Sequence, residues 1–452
     1  DGLVRTFHLR KDARWSDGRP VTAGDFVYSF QRMLTPALGT EYAYMLYIMT
    51  NAEAFNTGKL TDFSKVGVKA PDDYTLQITL NHPVPYFITL LSHPSWYAVP
   101  RTTLEKYGKV DERGTLWTRP GNHVGNGPFV LDQWRVNDVI VVKKSPTYWD
   151  RDHVRLNEIR FYPIESAATE ERAFRAGQLH VTYHCPREKI DAYRTQHPEF
   201  LRIEPWLETY YFRVNVTKSV LRDQRVRQAL GRAIDRRALV ESVMRGGEIP
   251  AHHFTPPNTA GYTSAANMPT DYESARRLLA EAGFPNGAGF PDLELLYATS
   301  DDGLRITEAI QEMWKKELNI HVTVRNEEFK VFLDSQRRLA YDLSLSLWIG
   351  DYPDPSTFLD LLTTDNGNNQ TGYSNPEYDR LIGQAAQTLD PARRYDIFQH
   401  AEALIMNEAP VIPLFFGTHV FLCRPEVKQY RLSIVGNPLW KQIILDNPAV
   451  AN

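Results

Sequence analysis

Long apolar runs, cysteines and an excess of charge of one sign are all scarce in this 452-residue chain. No apolar stretch approaches the roughly 20 residues that a membrane-spanning helix needs. The net charge is only -4, from 51 basic and 55 acidic residues. Because the basic residues form no long run, nucleic acid is a poor partner for this chain.

Metal-binding and catalytic motifs are also missing. The two cysteines, Cys185 and Cys423, are too far apart for a metal knuckle, and they could form one disulfide or stay as buried thiols. G-x-S-x-G, H-E-x-x-H, a Walker loop and a G-x-G-x-x-G after a strand do not occur. The pair His252 and His253 favours a surface or packing role, since few convergent acids surround it. The sequence therefore predicts no enzyme, no cofactor and no metal site.

Aromatic residues, by contrast, are plentiful: 9 Trp, 23 Tyr and 21 Phe. Such rings fill cores, and Trp and Tyr also line ligand pockets. The length predicts two or three domains. No low-complexity linker separates them, so we expect ordered crossings between lobes that can hinge around a cleft.

Local patterns predict alternating strands and helices, and hence parallel or mixed sheets covered by helices. Thr22 is a candidate N-cap, with Asp25 as the capping-box acid. Strands are predicted at 3–10, 74–80, 158–164, 179–184, 293–298, 320–326, 341–348 and 410–416. Helices are predicted at 166–176, 223–244, 303–317 and 391–407. The segments between 158 and 184 would form a β-α-β unit.

The stretch that most clearly indicates a binding role is WIGDYPDP, residues 348–355. The alternating strand before it is broken by Gly350, and the carboxylate of Asp351 follows at once. Open α/β sheets bind ligands beyond the carboxyl ends of their strands. The alternative is that Asp351 merely caps the loop or helix that follows.

Several segments resemble the family 5 solute-binding proteins of ABC importers. They are FHLRKDARWSDGRPVTAGDFVYSFQRM, GVKAPDDYTLQITLNHPVPYF, NGPFVLDQWRVND, KSPTYWD, DQRVRQALGRAIDR, LYATSD, MWKKELNIHV and WIGDYPDPSTFLDLL. The resemblance spans nearly the whole chain and is strongest to the oligopeptide-binding and murein-peptide-binding branches. IESAATEERAFRAGQ and EIPAHHFTPPNTAGYT lean toward the murein-peptide branch.

This resemblance implies an α/β periplasmic binding protein of type II, cluster C. Two lobes and an extra domain would surround a hinged cleft, with the start of the first lobe missing. The implied divisions are 1–101 for the extra domain, 102–207 and 418–452 for lobe I, and 208–417 for lobe II. The implied role is a monomeric, periplasmic peptide receptor of a Gram-negative bacterium, which delivers short peptides to membrane permease subunits.

The same resemblance implies the site residues. Asp351 would receive the α-ammonium of the ligand, and the strand edge from Leu347 to Ile349 would pair with an extended peptide. The aromatic residues that match are Trp348, Tyr42, Tyr183, Tyr211 and Phe329. Arg337 and Arg338 lie near the position of a carboxylate-binding arginine, although a solvated helix face explains them equally well.

Departures from the family leave alternatives open. Glu208 and Ile349 stand where relatives often carry cysteines, and Gly303 replaces a histidine. Phe329 stands where a tryptophan is usual. A murein-tripeptide receptor, or the same fold binding a bile-acid-like molecule, haem or a metal chelate, is a possible variant. A hydrolase that uses Asp351, Asp354 and Glu208 is the remaining alternative, because paired carboxylates drive glycoside cleavage.

Overall fold

The computed structural model describes residues 2–40, 42–364 and 366–446 of the chain. Its strands are β1 (Val4–His8), β2 (Val68–Asp72), β3 (Thr75–Thr79), β4 (Phe129–Arg135), β5 (Val139–Lys144), β6 (Glu158–Phe161), β7 (Leu201–Val214), β8 (Ile249–Pro250), β9 (Leu293–Ala298), β10 (Val322–Glu327), β11 (Leu343–Ile349), β12 (Val411–Leu422), β13 (Val427–Lys428) and β14 (Ile444–Leu445).

The α-helices include several very short ones. They are α1 (Ala23–Leu34), α2 (Ala52–Asn56), α3 (Phe87–Leu90), α4 (Arg101–Tyr107), α5 (Ala167–Arg175), α6 (Ile190–Gln196), α7 (Gln224–Arg232), α8 (Arg236–Ala238), α9 (Tyr272–Glu281), α10 (Asp301–Leu318), α11 (Phe329–Arg337), α12 (Ser356–Leu359), α13 (Pro376–Gln387) and α14 (Pro391–Glu408). A π-helical segment, Leu239–Met244, follows α8. The mixed α/β fold is confirmed.

The chain divides into two compact units. Unit 1 comprises, where described, residues 1–182, 423–433 and 437–452, and unit 2 comprises residues 183–422 and 434–436. The predicted division into an extra domain and two lobes stays a prediction, and its last six residues, 447–452, lie outside the described part of the chain.

Unit 1 contains small antiparallel sheets. One has the order β1-β3-β2 and another the order β4-β5-β6. Helix α1 begins as predicted, since the Asp25 carboxylate accepts a hydrogen bond from the Thr22 amide at 2.9 Å. Its buried face contributes Phe30, whose ring packs edge-on against Trp96 at 5.3 Å.

Unit 2 is built on a six-stranded mixed sheet with the order β10-β9-β11-β7-β12-β8. Strands β9, β10 and β11 run parallel to one another, while β7 is antiparallel to both β11 and β12. Alternate residues face opposite sides of a strand. Accordingly, Phe212 and Leu345 enter one hydrophobic cluster with α7, α9 and α10, whereas Tyr211 enters another with α12, α13 and α14.

Two predicted elements are wrong. Residues 179–184 form no strand, because only isolated bonds hold this segment, such as Arg424 N to His180 O at 2.9 Å. The long helix at 223–244 is interrupted after Arg232. There, the fully buried Arg236 guanidinium donates to the carbonyl of Gly231 at 3.0 Å, and Asp235 caps a new turn at the Ala238 amide. A side chain that captures a backbone group in this way competes with helix continuation.

Both cysteines are buried, as either alternative required. The Cys185 Sγ lies 3.8 Å from the carbonyl oxygen of Pro186, and the Cys423 Sγ lies 3.7 Å from that of Arg424. These are the contacts of weakly donating thiols.

Candidate functional site

Parallel strands place several predicted site residues at one end of the unit 2 sheet. The carboxyl ends of neighbouring parallel strands lie at the same end of a sheet. Helix α10 therefore begins there after β9, Phe329 begins α11 there after β10, and Asp351 follows β11 there. Glu208 lies at the same end of the sheet, because antiparallel β7 pairs it with Ile349, the last residue of β11.

Strand β11 has an open edge along its last residues. It pairs with β7 over its whole length, from Leu343 to Ile349, but with β9 only at Leu343 and Ser344. The Gly350 amide donates to Leu207 O at 2.7 Å. The N–H and C=O groups of the even-numbered residues of β11 therefore point toward β7. By alternation, the N–H and C=O groups of Leu347 and Ile349 point away from β7. No other described strand covers them.

The turn after β11 is held close to the sheet. A Cβ on Gly350 would lie 2.5 Å from Leu207 Cδ2, so only glycine fits this approach without displacing the leucine. The next amide, that of Asp351, donates to Thr357 Oγ1 at 3.0 Å. These contacts place the partly buried Asp351 directly beyond the strand end.

Asp354 forms hydrogen bonds and an ion pair within the turn that follows β11. Its carboxylate accepts from the amide of Ser356 at 3.0 Å at the start of α12. It also forms a two-pronged ion pair with Arg394, with N–O distances of 2.7 and 2.8 Å. Both side chains of the pair are less than one-tenth exposed. The Asp354 carboxylate therefore has a structural role. This weakens the alternative of a hydrolase that uses Asp354 as one of its paired carboxylates.

The predicted aromatic residues of unit 2 divide by exposure. Phe329 is 60% exposed and Tyr183 is 57% exposed, so both rings are accessible to a ligand. Trp348 is partly buried against the cluster of α12 to α14, and its Nε1 has no hydrogen-bond partner in the described residues. Tyr211 is only 1% exposed and packs against Phe254 at 4.9 Å, so its ring serves the core.

Tyr42 belongs to unit 1 and was predicted to share the ligand site with the residues above. It is 39% exposed and lies against His93, with ring centroids 5.0 Å apart. A second tyrosine, Tyr44, stacks on it at 5.9 Å. Its contact with a ligand stays a prediction.

The arginine pair at the end of α11 is separated from Asp351. Helix α11 starts at the end of the sheet where Asp351 lies. It runs away from that end for nine residues, roughly 13 Å at 1.5 Å per residue. Arg337 and Arg338 are exposed, and Arg338 pairs with Asp334 at 2.5 Å. In the described residues, Gln336 is the side chain of this turn that bonds to β11, through Ser344 and Ser346. The solvated-face interpretation therefore describes Arg338 better than a ligand contact does.

A buried acidic cluster beside the open edge was not predicted from the sequence. Arg187 pairs with Glu248 and, at 3.2 Å, with Asp302 in the first turn of α10. Burial, with a further contribution from Glu248, raises the pKa of the nearby Glu208 carboxyl to about 8, against the opposing effect of Arg187. The only sequence signal was an acid placed between Leu207 and the TYYF segment of β7.

The described residues contain neither a candidate metal-binding cluster nor a candidate membrane-spanning helix. They contain no group of three or more His, Cys, Asp or Glu side chains that could hold a metal ion. His253 Nδ1 instead lies 2.8 Å from Thr255 O, as its packing role predicts. Within the same residues, no helix combines the length and the apolar character needed to cross a membrane.

Comparisons with known proteins agree with this architecture. The periplasmic oligopeptide-binding protein OppA of Salmonella typhimurium is 37% identical over 439 residues, which cover 95% of this chain and 79% of that protein. The structure of the Escherichia coli murein tripeptide binding protein MppA matches with a TM-score of 0.86 and 36% identity, over 98% of this chain and 87% of that one.

A second similar structure contains a bound peptide. Haemophilus influenzae OppA in complex with RPPGFSPFR matches with a TM-score of 0.83 and 30% identity, over 99% of this chain and 88% of that one. The sequence profile described as "Bacterial extracellular solute-binding proteins, family 5 Middle" matches residues 1–370. This chain belongs to the family 5 bacterial extracellular solute-binding proteins.

Proposed function

We propose that this chain is the periplasmic substrate-binding component of an ABC peptide importer. It captures short peptides and passes them to membrane permease subunits, without catalysing a reaction. Relatives named as periplasmic oligopeptide-binding and murein-peptide-binding proteins support this role. The observation that carries it is the open edge of β11 at Leu347 and Ile349, ending at the carboxylate of Asp351.

The open edge suits a peptide of any sequence. An extended peptide can add to a sheet edge through main-chain hydrogen bonds, which are the same for every residue type. The exposed rings of Phe329 and Tyr183 offer apolar surface to a ligand, and the Tyr183 hydroxyl adds a polar group. Leu347, 42% exposed at the edge itself, adds apolar surface. The open edge itself therefore selects for an extended peptide backbone.

Asp351 supplies selectivity for the amino terminus. A carboxylate at the end of the peptide-pairing edge can form a charge-assisted hydrogen bond with a ligand ammonium, worth about 1.5–3 kcal/mol net. The ion pair becomes costly when one partner is absent, so a blocked amino terminus is disfavoured. Asp354 bonds to the Ser356 amide and pairs with Arg394 in the same turn, which fixes the backbone that carries Asp351.

Changing Asp351 to Asn tests this function. We expect Asp351→Asn to weaken binding of tri-alanine at least tenfold, or about 1.4 kcal/mol, because the ammonium loses its counter-charge. Amino-acetylated tri-alanine, which carries no ammonium, should lose no affinity in the variant. Isothermal titration calorimetry measures both. Equal losses for the two ligands would make Asp351 a structural residue.

Competition between ligands decides between a general and a murein-specific receptor. We propose that tri-alanine and L-Ala-γ-D-Glu-diaminopimelate compete for one site, since both present a free amino terminus to Asp351. The position of Arg337 and Arg338 on an exposed helix end weakens the case that they bind the extra carboxylates of the murein peptide. The general peptide receptor is therefore the function that the geometry supports best.

A further inference from the structure

Glu208 is a buried acid to which the described residues offer no direct hydrogen bond or ion pair. It lies on β7 opposite Ile349 and is 4% exposed. In the described part of the chain its carboxyl makes no hydrogen bond and no ion pair, although buried polar groups are normally paired. A buried polar group without a partner costs free energy. A ligand that supplies the partner would therefore bind more tightly.

The charges around Glu208 are unbalanced toward the acidic side. Arg187 is the nearby cation, and its guanidinium is already used by Glu248 and Asp302. Glu248 is engaged a second time, since it accepts from the Gly246 amide at 2.7 Å. One guanidinium therefore faces three carboxyl groups. The titratable and charged groups that surround Glu208 and its partners are Tyr183, His184, Arg187, Tyr210, Glu248, Asp302 and His419.

Glu208 is also close to the proposed peptide edge. Directly opposed residues of an antiparallel pair have Cα atoms about 4.5–5.5 Å apart, so Glu208 lies beside Ile349. Its carboxyl occupies the space over Gly417, where a Cβ would come within 1.9 Å of Oε2. Ile349 in turn lies only two residues before Asp351. A ligand strand added to β11 would thus lie one strand away from Glu208, and a long side chain near the amino terminus would reach Glu208 by crossing Ile349.

We propose that Glu208 is a specificity-determining residue that accepts a second ammonium, carried by a side chain of the first or second ligand residue. The inference rests on the proposed peptide-binding function and names a preferred ligand class: peptides with an amine-bearing side chain near the amino terminus. A lysyl side chain and the free amine of a diamino acid share this chemistry. Neutral Glu208 gives up its proton to solvent as the ammonium binds, so a carboxylate–ammonium pair replaces the carboxylic acid.

Peptides that differ by one charge test the proposal. We expect Lys-Ala-Ala or Ala-Lys-Ala to bind at least tenfold more tightly than the same peptide with norleucine, which has a similar apolar stem and no ammonium. Ala-Ala-Lys should show a smaller preference. In Glu208→Gln the ratio of the lysine and norleucine dissociation constants should fall to near one. Glu241→Gln, which changes an exposed carboxylate of the same unit, should keep the wild-type ratio.

Calorimetry in buffers of different ionisation enthalpy supplies a second readout. At pH 7 the lysine peptide should release close to one proton from the wild type, and none from Glu208→Gln. A diaminopimelate-containing peptide that reproduces the release would extend the preference to diamino acids. If tri-alanine binds but lysine brings neither tighter binding nor proton release, Glu208 has no role in specificity. If tri-alanine itself does not bind, the proposed function is wrong.

Discussion

Replacing Asp354 by Ala should lower the free energy of unfolding by about 3–5 kcal/mol, the usual cost of leaving one member of a buried ion pair without its partner. The Arg394 guanidinium would remain buried at 3% exposure and would lose both of its short contacts to Asp354. Ser356 would lose the hydrogen bonds that its amide and hydroxyl donate to the Asp354 carboxylate. Urea denaturation followed by circular dichroism measures the change.

A double variant separates the ion pair from general packing. Asp354→Leu/Arg394→Met removes both charges and keeps apolar volume, so it should recover most of the stability lost in Asp354→Ala. Asp360, whose pKa is raised to about 7 by burial and by Asp354, should also ionise more easily once Asp354 is gone. A loss below about 1 kcal/mol in Asp354→Ala would show that the pair does not hold the loop after β11.

Changing Glu208 to Gln should have the opposite effect on stability. The folded protein holds the Glu208 proton up to a pKa of about 8, whereas an exposed glutamate releases it near 4.5. Between these values the folded state binds more protons than the unfolded state, so the free energy of unfolding of the wild type falls as pH rises. Glu208→Gln removes this slope. At pH 8 it should be more stable than the wild type by roughly 4 kcal/mol, from 1.36 kcal/mol per pKa unit.

The two proteins should converge at low pH. Near pH 4, Glu208 is protonated in both states of the wild type, so the stability difference should nearly vanish. Urea titrations at several pH values between 4 and 8 give the curve. Glu241→Gln, at an exposed site, should follow the wild type throughout. Parallel curves for Glu208→Gln and the wild type would contradict the raised pKa of this buried carboxyl.

Local patterns were sufficient to predict β11 and the turn that follows it. Alternation along residues 341–348 predicted β11, and the glycine followed by an acid predicted a turn at the carboxyl end of a strand, where Asp351 lies. The same local logic was wrong for residues 179–184. That segment alternates like a strand, but isolated bonds rather than a continuous ladder hold it.

Contacts between distant parts of the chain were beyond sequence reasoning. The cluster around Glu208 joins residues from α10, from β7 and from the turns near 187 and 248, and no spacing rule links them. The Asp354–Arg394 pair likewise connects positions forty residues apart. The resemblance indicated Arg337 and Arg338, whereas the fold shows that the neighbouring Gln336 bonds to β11.

Amide hydrogen exchange of β11 tests the central claim most directly. The amides of Leu347 and Ile349 point to the open edge, while those of Ser346 and Trp348 point to β7. If an extended peptide adds to this edge, saturating tri-alanine should slow exchange at Leu347 and Ile349 at least tenfold. Ser346 and Trp348, already bonded within the sheet, should change little. Tight binding of tri-alanine with unchanged exchange at Leu347 and Ile349 would contradict strand addition at β11.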